Sequence, residues 1–93
     1  MAYNYQDDTG WIASGPSIRG SVVMQEEVKK LAPEGAYPYL HNFLQSGESA
    51  NPQQLAGECS RLAKKTKDKD VKDSLTRLAR AAAIAKGSIV CTH

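Results

Sequence analysis

The chain has 93 residues, 41% hydrophobic and 24% charged, with four Tyr, one Trp and one Phe as its only aromatics. That balance is ordinary for one folded domain and excludes a disordered chain, while no apolar run approaches the ~20 residues of a membrane span. The formal net charge of +2 hides an uneven spread: residues 1–57 carry three Lys/Arg against six acids (−3), and residues 58–93 carry nine against four (+5).

Residues 1–16, MAYNYQDDTGWIASGP, show no sustained period and end in a Gly-Pro breaker. They are expected to form an extended N-terminal arm, too apolar at Tyr3, Tyr5, Trp11 and Ile12 for a simple disordered tail. The arm packs back onto the rest of the chain, docks on a neighbouring subunit, or stacks on a ligand. Its polar, acidic start reads as neither a signal nor a transit peptide, so the expected location is cytoplasmic.

A first helix is expected from a cap at Ser17 or Ser21 to Ala32, with Ile18, Met24, Val28 and Leu31 on one face. Pro33 stops it, because the residue before a proline is pushed out of helical geometry. Pro38 suits the first position of a short second helix to about Gln45, burying Tyr37, Leu40, Phe43 and Leu44. Asn51, Pro52 and Gln54 carry the capping-box start of a third helix, with Leu55, Cys59, Leu62 and Thr66 as its stripe.

The last long helix, Asp68 to Lys86, is the strongest signal. Val71, Leu75, Leu78, Ala82, Ala85 and Ile89 recur at three- and four-residue spacing. Asp68, Asp70 and Asp73 near its start and Arg77, Arg80 and Lys86 toward its end complement the helix dipole. The short link before it makes the third and fourth helices antiparallel neighbours. The tail, SIVCTH, is expected to extend this helix or dock beside it.

The fold class implied is all-α: a small bundle of three to four helices, residues 17–93, preceded by the arm, residues 1–16. So thin a core suits completion by oligomerisation.

Neither cysteine sits in a motif that carries chemistry. A nucleophile built from Cys59 or Cys91 with His41 or His93 lacks an orienting partner, and Cys91-Thr92-His93 offers two metal ligands with no second pair. No catalytic residue, metal site or cofactor is expected, and the chain is read as a non-enzyme.

The function expected is a protein-interaction module (an adaptor, inhibitor or regulatory subunit), forming a homo-oligomer. Its partner-binding residues would be Arg77, Arg80 and Ile84 on the outer face of the last helix, with Tyr3, Tyr5 and Trp11 from the arm. Nucleic-acid binding is the alternative, through the basic residues Arg61, Lys64, Lys65 and Lys69, continuing to Lys72, Arg77 and Arg80. A third reading is capture of a small anion such as a nucleotide between subunits, with Arg or Lys for charge and Tyr or Trp for stacking.

Overall fold

A computed structural model describes residues 2–92. The chain is an α/β fold, not an all-α bundle: four helices accompany a four-stranded antiparallel sheet. The residues read as an arm are its first two strands, β1 (Ala2–Asp7) and β2 (Gly10–Ser17). The helices α1 (Ile18–Leu31) and α2 (Pro38–Ser46) follow, then the two-residue β3 (Glu48–Ser49). The chain continues through α3 (Pro52–Lys65) and α4 (Lys69–Ile84) to β4 (Ile89–Thr92). Of the tail, expected to extend the last helix or dock beside it, Ile89–Thr92 form a strand, and His93 lies outside the described residues.

Strand order is β2-β1-β4-β3, so the first strand pairs with the last across the middle of the sheet. Asn4 faces Thr92, Tyr5 faces Cys91 and Asp7 faces Ile89. Alternation along a strand sends every second side chain to one face. Tyr5 and Ile89 thus point to the helices and are 1% and 0% exposed, while Asn4, Gln6, Val90 and Thr92 take the opposite face. The shortest dimension of the Cα trace, 20 Å, is that of two packed layers.

The β1–β2 register slips twice, between Ala2 and Asn4 and between Tyr5 and Gln6, each time using one more residue of β2. The second slip lets Ile12 and Ala13 both pack on the core and throws Trp11 outward, 61% exposed. There its indole N–H donates to the Asn4 side-chain oxygen at 3.2 Å. These slips and Pro16 blunt the β2 edge, and the brevity of β3 blunts the other.

The hairpin turn grips the loop between α4 and β4. Asp7 accepts from the Thr9 amide at 2.8 Å and the Thr9 hydroxyl at 2.6 Å, closing the turn. Its second oxygen accepts from the Lys86 amide at 2.9 Å, and Asp8 accepts from the Ser88 hydroxyl at 2.8 Å. Gly87 between them has φ +84°, and a Cβ there would fall 1.9 Å from an Asp8 oxygen. The left-handed backbone favours glycine at this point, and a side chain there would also displace the Asp8 carboxylate.

The helices obey their local signals with some exceptions. Ser17 caps α1, accepting from the Gly20 amide at 3.0 Å, and Asp68 caps α4, accepting from the amides of Asp70 and Val71. The six residues of the stripe expected on the last helix are all buried, although Ala85 follows the end of α4 in extended backbone and Ile89 is delivered by β4. In α1, Met24 and Val28 are buried but Ile18 and Leu31, expected beside them, are 41% and 39% exposed. The side chain of Asn51 makes no capping bond at the start of α3.

Candidate functional site

Helices α3 and α4 run antiparallel through a three-residue link, and the Gln53 side chain at the start of one donates to the Ala83 carbonyl at the end of the other. Their facing stripes bury Leu55, Cys59, Leu62, Leu75 and Leu78. On the side away from that seam the two helices leave a groove of about 620 Å³. Its floor is Ala56, Gly57, Ser60 and Ala63 of α3 with Thr76, Ala79 and Ala83 of α4, small residues that recur at three- or four-residue steps (56, 60, 63 and 76, 79, 83). Lys64, Lys72 and Arg80 stand along it, and no acidic side chain lines it among the described residues. Lys72 and Arg80 are eight residues apart, about 12 Å along the helix.

The basic residues named from sequence do not form one stripe. Arg61 and Lys65 turn to the other side of α3 and lie over the Tyr37 ring, 4.8 and 5.6 Å from its centroid. Arg61 also donates to the Ala36 carbonyl at 3.1 Å. Arg77 lines a separate depression between α1 and α4, together with Arg19, Asp70 and Asp73. Lys69 is exposed at the first position of α4. Only Lys64, Lys72 and Arg80 share the groove.

The aromatic candidates are dispersed as well. Tyr5 is a core residue whose ring sits 6.2 Å from that of Phe43, and Tyr3 lines an internal cavity beside it. Trp11 is on the outer sheet face. Within one chain, Arg77 therefore lies in a different depression from Tyr3 and Tyr5, and Trp11 is on the other side of the sheet. Ile84 is 60% exposed at the last position of α4, next to Ala83 of the groove floor.

Burial pushes the Cys59 thiol far above its ordinary range, with the Glu58 carboxylate adding to the effect. Burial also raises Cys91. Both shifts run opposite to the thiolate character a cysteine nucleophile needs. His41 donates from Nε2 to the Ala32 carbonyl, and His93 lies outside the described residues. Among the described residues no group of three or more His, Cys, Asp or Glu could hold a metal ion, and no helix is long and apolar enough to cross a membrane.

The sequence reading missed the groove, although its signal was present. Ala56, Gly57, Ser60 and Ala63 are small residues at helical spacing on α3, and Thr76, Ala79 and Ala83 match them on α4. Neither helix shows it alone, because a groove needs both helices and their crossing. No protein-family model matches the chain, and no curated protein or solved structure matches it.

Proposed function

We propose that this protein is a non-enzymatic interaction module whose α3–α4 groove receives an acidic, helical segment of a protein partner. The observation that carries the reading is the groove itself: a floor of small residues walled by three cations and no acid. A small-residue floor admits bulky apolar side chains from an incoming helix, and the cations select carboxylates on its flanks. Carboxylates two turns apart on that helix would match the ~12 Å between Lys72 and Arg80. A phosphate backbone is less well matched. It would follow a continuous basic track, whereas Arg61 and Lys65 are engaged with Tyr37 on the other side and Arg77 lines the α1–α4 depression together with Asp70 and Asp73.

Selection of helical peptides from a random displayed library tests this directly. The expected binders are acidic, with apolar residues three and four apart, and bind at least tenfold more weakly to a Lys64→Glu, Lys72→Glu, Arg80→Glu chain. Binders indifferent to those three changes would remove the groove from consideration. Binding of a nucleic-acid duplex that weakens steeply with salt, with no acidic peptide recovered, would transfer the basic residues to the nucleic-acid reading.

A further inference from the structure

Between the inner face of the sheet and helices α1 and α2 lies a cavity of about 240 Å³. Its walls are the rings of Tyr3, Tyr5 and Phe43 with the side chains of Met24, Leu44 and Cys91. Polar atoms come from Ser21, Gln25, Gln45 and Ser46, of which Gln45 and Ser46 are exposed and mark the mouth. None of the lining residues carries a formal charge, in a chain where 24% of residues do. The contrast with the other depressions is sharp: the α3–α4 groove has three cations, and the α1–α4 depression has two charges of each sign.

Neutrality extends to the titratable walls. Burial raises the Tyr5 phenol far above its ordinary value, Cys91 and Cys59 reinforcing it and Arg77 opposing it, and burial raises the Cys91 thiol too. A charged ligand entering here would give up part of its hydration and meet no counter-charge among the lining residues, which is unfavourable. A neutral ring meets the opposite conditions. Tyr5 and Phe43 are inclined at 51°, presenting ring faces and edges to a third aromatic, and Met24 adds a polarizable thioether. For size, an apolar cavity of roughly 150 Å³ accommodates benzene, so this one has room for a ring with a short substituent. At its polar side, the Gln25 amide donates to Ser21 at 3.3 Å, which leaves the Gln25 carbonyl oxygen to accept.

We propose that this cavity is a binding site for a neutral single-ring aromatic compound bearing one hydrogen-bond donor. The ring lies among Tyr5, Phe43 and Met24, and the donor points to the Gln25 carbonyl. The site is separate from the α3–α4 groove and stands or falls without it.

The sequence supplies its own reporter, because Met24 and Met1 are the only methionines. Methyl-labelled methionine gives two resonances, and the one that Met24→Leu removes reports on the cavity wall. Titration with phenol or 4-methylphenol is expected to move the Met24 signal saturably, with a midpoint on the order of millimolar or below, as suits so small a ligand. Benzoate and benzylammonium should leave it in place. Ser21→Leu, which fills the cavity from α1, should abolish the shift. Gln45→Trp, placed on an exposed position to cover the mouth, should do the same if the filled variant fails to fold. A Met24 signal that never saturates, or that responds equally to the charged probes, would show the space to be a gap in packing and overturn the proposal.

Discussion

Glu58 is the side chain whose role could least be guessed from its neighbours in sequence. It lies on the buried side of α3, 5% exposed, and its carboxylate accepts from the Leu40 amide at 2.9 Å and the Tyr39 amide at 3.3 Å. Those amides belong to the first turn of α2, whose own N-cap, Tyr37, supplies no side-chain bond. A carboxylate from another helix thus does what a local Ser or Asp usually does, and its charge is favourable against the positive end of α2. Glu58→Ala would leave two amides without an acceptor and should cost about 1–3 kcal/mol. Glu58→Gln, which retains one acceptor oxygen, should cost less. Urea denaturation measures both, and equal stability of Glu58→Ala and the parent chain would refute the capping role.

Among the elements, the hairpin and the loop it grips form a small electrostatic clasp. The bond from the Thr9 hydroxyl is the largest influence holding the Asp7 carboxyl below its ordinary 3.8, followed by the Lys86 amide. A lowered folded-state value means that this stabilisation is complete above pH 3.8 and is lost as pH falls through it toward the folded value. Melting temperature followed from pH 7 to pH 2 should therefore drop less steeply for Asp7→Asn, which lacks the titrating charge. Superimposable acid limbs would place the acid sensitivity elsewhere. The elements also differ in how plainly the sequence announces them. All four helices are legible because Val71, Leu75, Leu78 and their counterparts sustain one period for several turns, with Ser17, Pro38 and Asp68 marking starts. The strands break their own period. The alternation of Tyr3 and Tyr5 is followed by Asp-Asp-Thr-Gly, a turn signal, but in β2 the slip at Ile12 puts two consecutive residues on the core side. The strands β3 and β4 have two and four residues, too few for a period to show. The candidate groove was half legible for a related reason: Lys64, Lys72 and Arg80 could be named, but their separation from Arg61, Lys65 and Arg77 depends on how two helices cross.

For the molecule as a whole, the pairing of β1 with β4 decides whether it is one cooperative unit. Ile89 brings a fully buried side chain into the core, and its strand lies between β1 and β3 in the sheet. Burial of an isoleucine is worth about 2–5 kcal/mol against alanine, a large share of the roughly 5–15 kcal/mol that holds a domain folded. A chain stopped after Ser88 should accordingly lose its cooperative thermal transition, read by near-ultraviolet circular dichroism. A transition with unchanged midpoint would make the last strand dispensable.

The same pairing sets an order of events during protein synthesis. Asp7 meets Ile89 and Asn4 meets Thr92, separations of 82 and 88 residues, with every helix made in between. At about 5–20 residues per second, β1 waits roughly 4–16 s after leaving the ribosome's active centre before its partner has been polymerised. Through that interval the nascent hairpin exposes a bare strand edge, so the newborn chain is at its most aggregation-prone well before the last strand exists to cover it.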